Sequence, residues 1–222
     1  MEAMIFDYQQ EGTCPSFDQL VLLSQSPRRR ELLAHLKPEV QSVSVDERAI
    51  EAHYAEVYAD EDFLTRVAKT ACEIAKAKCG EDQAAGRLYL AADTMVIHQD
   101  QIYHKPQSEA EAKQMLTSYL GQTHQVVTAV AMKASDYLEV FYTVAELSFI
   151  APYPGVEDYL DWYIQSGSPM DKSGGYGIQE VGAMLLESMR GNLYTVIGLP
   201  VSEVQRRVIG SYQGEEDFSC MQ

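Results

Sequence analysis

Apolar positions along the 222-residue chain fall into two kinds of run, short unbroken ones and longer ones recurring every three or four residues. "LVLLS" (20–24) is of the first kind and predicts a short buried strand. Ser26 then stands as an N-cap and Pro27 as the first residue of a helix. Residues 40–46 predict a second strand. From about Glu51 to Cys79 the spacing is helical, with Phe63, Val67, Ala71, Ile74 and Ala75 near one face. "RLYLAADTMVI" (87–97) has strand length, and "SEAEAKQMLTSYL" (108–120) reads as a capped helix. "THQVVTAVAMKA" (123–134) and "YLEVFYTVAELSFI" (137–150) predict two strands joined near Ser135 and Asp136. A helix over "GVEDYLDWYIQSG" stops at Gly167. The glycine-rich "DKSGGYGIQEVG" (171–182) follows, then "MLLESMR", a turn at Gly191 and Asn192, a strand "LYTVIG", and a last helix opened by Pro200. Helices and strands alternate around antiparallel hairpins, so the expected class is α/β, a mixed central sheet flanked by helices. Residues 1–18 read as a polar, irregular extension and residues 211–222 as an acidic, frayed tail, with one domain over 19–210.

Charge changes the picture at one place. The net charge is −16 and the isoelectric point about 4.6, which argues against nucleic acid or an anionic membrane as a partner. Against only 17 lysines and arginines, the run Arg28, Arg29, Arg30 is a local concentration. It lies in the first turn of the helix after Pro27, where the macrodipole is positive and a cation costs a few tenths of a kcal/mol. Such a placement suits an anionic ligand. A strand-to-helix corner offers backbone N–H groups and forked guanidiniums to one phosphate, although pairing with Glu31 or other acids accounts for surface arginines equally well, and for Arg30 that is the reading we adopt. The four cysteines form no C-x-x-C pair, which favours reduced thiols. There is no signal-like start and no ~20-residue apolar run, so a soluble cytoplasmic protein is expected.

Asp93 is the second candidate. A carboxylate within an apolar strand is costly to bury unless paired or metal-bound. It reads as a metal ligand, a general base, or a cap at a strand end. In 171–180 the three glycines around Tyr176 allow a close backbone approach to a ligand, or simply a loop, and Gln179 offers an amide that donates and accepts. Neither G-x-x-x-x-G-K-[ST] nor G-x-G-x-x-G occurs.

In order, "LLSQSPRRRELL", "AADTMV", "HKP", "GQTHQVVTAVAM", "DKSGGYGIQEVG" and "GNLYTVIGLP" resemble the motifs of the Maf family of nucleotide pyrophosphatases, across about residues 20–205. The resemblance implies a fold similar to that of inosine triphosphate pyrophosphatases, with a deep cleft. It also implies hydrolysis of nucleoside triphosphates to monophosphate and pyrophosphate with a divalent cation, Mg²⁺ or Mn²⁺. Arg28 after "SP" and Gln179 after "GI" resemble the dTTP and UTP branch, while the same chemistry on 7-methyl-GTP or non-standard purines, and a non-catalytic nucleotide-binding regulator of cell division, are the alternatives. On this resemblance Asp93 is the proton acceptor, and Arg28, Thr94 and Gln179 influence substrate choice. The chemistry of such a hydrolysis adds, as an expectation, Glu47 beside Asp93 at the metal, and Arg28, Arg29, Lys105 and Lys172 on the triphosphate with Ser24 and Ser26 donating hydrogen bonds. A homodimer is expected. The family's helix motif A-x-x-K-A falls on "AKTAC", which puts Ala71 at the lysine place, with Lys69 and Lys76 as neighbouring substitutes.

Overall fold

The computed structural model describes residues 4–81 and 83–213. Most of the expected acidic tail, from Gly214 on and including Cys220, lies outside the described residues.

The strands are β1 (Ile5–Glu11), β2 (Gln19–Leu23), β3 (Glu39–Gln41), β4 (Arg87–His98), β5 (Gln101–Tyr103), β6 (Thr123–Ala134), β7 (Tyr137–Phe149) and β8 (Leu186–Gly191). They belong to one sheet of order β1-β7-β6-β4-β2-β3, with β5 on β4 and β8 on β7. The sheet is mixed. β2 runs parallel to β3 and β4, whereas β1 on β7, β5 on β4 and β8 on β7 are antiparallel. The helices are α1 (Pro27–Leu32), α2 (Glu47–Val57), α3 (Phe63–Cys79), α4 (Glu109–Tyr119), α5 (Val156–Gln165), α6 (Leu193–Ile197) and α7 (Val201–Val208). The expected α/β class with a mixed, helix-flanked sheet is what the chain adopts. β4 is buried at ten of its twelve positions, the pattern of a strand inside a sheet rather than at its edge. No helix among the described residues is long and apolar enough to cross a membrane.

Two compact units divide the chain, and the division falls within β4 after Asp93, within β6 after Val127 and within β7 after Thr143. One unit comprises, of the described residues, those within 5–93, 128–143 and 198–213. Its core gathers Leu20 and Leu22 of β2, Leu88 and Leu90 of β4, Val130 and Met132 of β6, Phe141 of β7, and Val204 and Val208 of α7. Arg207 of α7 is held there by Glu139, by Asp7 at 2.6 Å and by the Phe141 ring, 4.2 Å from its guanidinium carbon. The other unit comprises, of the described residues, Met4, 94–127 and 144–197. It packs Leu116 and Tyr119 of α4, Leu160 and Tyr163 of α5, Phe149 of β7 and Tyr176 of the glycine-rich segment.

Four local expectations change. The strand expected over 40–46 is confined to Glu39–Gln41. The helix expected over 51–79 is two, α2 and α3, because Asp62 caps a fresh start by accepting from the Thr65 N–H at 3.0 Å. "LYTVIG" is helical over Leu193–Ile197, where Asn192 Oδ1 accepts from the Tyr194 N–H at 2.8 Å. The extension expected to be irregular contains β1, an edge strand whose side chains are largely exposed, and Phe17, which is buried.

Candidate active site

Ser24 ends the run that forms β2, and the chain turns there into α1. The Ser24 N–H donates to Gln41 O at 3.0 Å, and its Oγ accepts from the Ser26 N–H at 3.1 Å. Ser26 is the N-cap of α1, its Oγ accepting from the Arg29 N–H, as its place before Pro27 predicts. Pro27 fixes the entry, so Arg28 and Arg29 leave the corner one after the other. Arg29 Nε donates to Gly198 O and Nη1 to Ala92 O, both at 2.8 Å. Its guanidinium therefore braces the corner against β4 one residue before Asp93. Burial draws Arg29 below its ordinary range, and the Asp93 carboxylate opposes that shift.

Asp93 is 8% exposed, a buried carboxylate that needs a partner. The partner is Lys78, near the end of α3, whose Nζ donates to Asp93 Oδ1 at 2.8 Å. The same Nζ lies 2.8 Å from Glu47 Oε1, at the first residue of α2. One ammonium thus joins the two carboxylates that the sequence nominated as metal ligands. Asp46 caps α2 through the Ala49 N–H at 3.0 Å, so the start of that helix, and with it Glu47, is fixed by a side-chain cap.

Lys78 is the residue that sequence reasoning missed. Ala71, assigned the lysine place, is fully buried in the core. Neither neighbouring lysine reaches Asp93: Lys69 pairs with Glu61 and lies over the Tyr58 ring, and Lys76 pairs with Glu73 and Gln9. The signal was present seven residues on. Seven positions of an α-helix return to the same face within about 20°, and "AKAKC" (75–79) repeats the A-x-x-K spacing with Lys78 in the fourth place.

The remaining nominated residues belong to the other unit and are described within it. Thr94 is of intermediate exposure, and Lys105, in the turn after β5, is exposed. Lys172 is buried, and its Nζ donates to Ser168 O and Asp171 Oδ1 at 2.7 Å and lies 3.2 Å from Glu180 Oε1. Its stem fills the space beside Gly177, where a Cβ would stand 2.7 Å from Lys172 Cε. Lys172 is thus engaged in shaping the glycine-rich segment itself. Gln179, at the end of that segment, is exposed.

The Ser24–Arg29 corner meets β4 at Ala92, one residue before the Asp93 carboxylate that Lys78 joins to Glu47. Among the described residues no group of three or more His, Cys, Asp or Glu has the spacing of a metal site. Two converging carboxylates nonetheless fit the donor set of Mg²⁺, which typically takes one or two carboxylates and completes its shell with substrate phosphates and water.

The profile of the Maf-like protein family matches residues 19–209. The chain belongs to that family. A dTTP/UTP pyrophosphatase of Halalkalibacterium halodurans is 35% identical over 187 residues, covering 84% of this chain and 93% of the relative. A dTTP/UTP pyrophosphatase of Bacillus cereus (strain AH187) is 37% identical over 191 residues, 85% of this chain and 93% of the relative. Lys78 supplies the ammonium that meets Asp93, whereas Ala71, at the place where the resemblance puts the family's lysine, contributes none.

Proposed function

We propose that this Maf-like chain is a nucleoside triphosphate pyrophosphatase that cleaves dTTP and UTP between the α and β phosphates, yielding the monophosphate and pyrophosphate. The observation that carries the reading is the Lys78 ammonium held between Asp93 and Glu47, with the Arg29 guanidinium acting on the same Asp93 carboxylate. The printed names of the two relatives support the choice of substrate.

In this reading Asp93 accepts a proton from the attacking water as its oxygen bonds to the α phosphorus. The bond from that phosphorus to the α–β bridging oxygen breaks, and pyrophosphate leaves with the electron pair. Asp93 and Glu47 would hold a divalent cation, Mg²⁺ or Mn²⁺, which when bound offsets charge on the triphosphate. Arg28 and the Ser24 and Ser26 hydroxyls bind phosphate oxygens. Arg29, already donating to Ala92 O and Gly198 O, keeps the corner in place and adds positive charge. Lys105 adds a further cation, while Lys172 orders the segment that ends at Gln179. Gln179 reads the pyrimidine edge, since one amide matches an adjacent acceptor and donor, and Thr94 assists substrate choice. The test is a panel of canonical and modified nucleoside triphosphates with Mg²⁺ or Mn²⁺, scored for pyrophosphate. Release fastest from dTTP and UTP supports the reading, and no release from either overturns it.

A further inference from the structure

The unit that carries Gln179 contains a buried box of rings that the reaction does not use. His124, the second residue of β6, is 2% exposed and stacks on Tyr119 with ring centroids 4.3 Å apart. His98, Phe149 and Tyr176 meet it edge-on at 6.2, 5.0 and 5.4 Å. Its Nε2 is 2.7 Å from the Tyr176 hydroxyl, whereas its Nδ1 has no hydrogen-bond partner among the described residues. The titratable groups facing it are His98 from β4, Tyr119 from α4 and Tyr176 from the glycine-rich segment, and none is a carboxylate. Protonated at both nitrogens, the ring would carry an N–H at Nδ1 with no acceptor among the described residues. Burial accordingly lowers His124 to about 3, so the ring stays neutral at physiological pH and its one polar link is to Tyr176.

Tyr176 is the side chain by which the glycine-rich segment enters the core. The backbone around it is also fastened: Gly174 N–H donates to His104 O at 3.0 Å, Tyr119 OH donates to Gly174 O at 3.2 Å, and Gly177 N–H donates to Tyr163 OH at 3.0 Å. Gly174 has φ +76°, and a Cβ there would lie 2.9 Å from Val96 Cγ2. Only Gly177 and Ile178 separate Tyr176 from Gln179, so a shift of the buried ring is passed to the exposed amide along a short, constrained backbone.

We propose that His124 is a positioning residue for nucleotide discrimination, holding Tyr176 and thereby setting where the 174–179 segment presents Gln179. The proposal rests on the reading of Gln179 as the residue that contacts the base. Its test uses the full chain, with His124→Phe, Tyr176→Phe and the double variant. Amide exchange read by mass spectrometry should rise about tenfold over residues 174–180 in each single variant, the factor expected for one lost hydrogen bond, and no further in the double. KM for dTTP and UTP should rise and the preference over dCTP and dGTP fall several-fold, with kcat within about twofold of wild type. A merely structural role would lower the yield of folded protein without changing preference. Unchanged exchange over 174–180 in a folded variant, effects that add in the double variant, or an unchanged preference overturns the proposal. Tyr176→Phe deletes a single oxygen and decides the matter if His124→Phe fails to fold. Failure of the wild type to release pyrophosphate from dTTP or UTP would count against the activity, and the exchange measurement would still decide the positioning.

Discussion

Replacing Lys78 by methionine keeps the length of the side chain and removes the ammonium that Asp93 and Glu47 share. Both members of the Lys78–Asp93 pair are 12% exposed at the side chain. Breaking so dry a pair from one side costs ~3–5 kcal/mol, because a buried charge is left uncompensated. Arg29 lowers that figure by retaining some compensation, as its interaction with Asp93 indicates. Glu47 is 50% exposed at its side chain, so its half of the bridge contributes only tenths. The expected loss is therefore ~2–4 kcal/mol. Urea unfolding followed by circular dichroism measures this directly. A loss below ~0.5 kcal/mol would refute the reasoning.

Other consequences can be checked separately. Gln179→Ala should change relative rates across a nucleotide panel several-fold while moving the melting temperature by no more than ~2 °C, since the residue is exposed; equal relative rates would remove Gln179 from base selection. Gly174→Ala should cost ~2 kcal/mol or more in urea unfolding, because φ +76° and the 2.9 Å approach to Val96 both oppose a Cβ. Neutral His124 gives stability that is present above pH ~6.5 and is lost as the pH falls toward 3, by up to ~1.4 kcal/mol per pH unit. That slope should flatten in His124→Phe, and identical pH dependence in the two proteins would contradict it.

Where the fold follows local rules it was legible in the chain. Ser26 and Pro27 announce α1, Ser108 caps α4, and the alternating runs on either side of Ser135 and Asp136 become the β6–β7 pair. Legibility fails where a neighbour decides. Leu193–Ile197 has the β-branched content of a strand, yet the cap from Asn192 turns it into a helix. Residues 5–11 carry no clear alternation, because β1 pairs along only one side and leaves most of its side chains in solvent. The candidate site shows the same contrast. Asp93 stood out as a charge in an apolar run, and the arginines as cations in the wrong turn of a helix. Lys78 did not stand out. Two A-x-x-[AK] frames seven residues apart share one helix face, and only packing reveals that the first frame buries Ala71 in the core while the second delivers an ammonium to Asp93.

The most direct measurement follows one oxygen atom. Hydrolysis of dTTP in ¹⁸O-labelled water with Mg²⁺, analysed by mass spectrometry, reports which phosphorus the water attacks. The account predicts dTMP and pyrophosphate in equal amounts, the label in dTMP, and loss of most of this turnover in a folded Asp93→Asn protein. Formation of dTDP and orthophosphate, label in pyrophosphate, or wild-type rates in Asp93→Asn would contradict it.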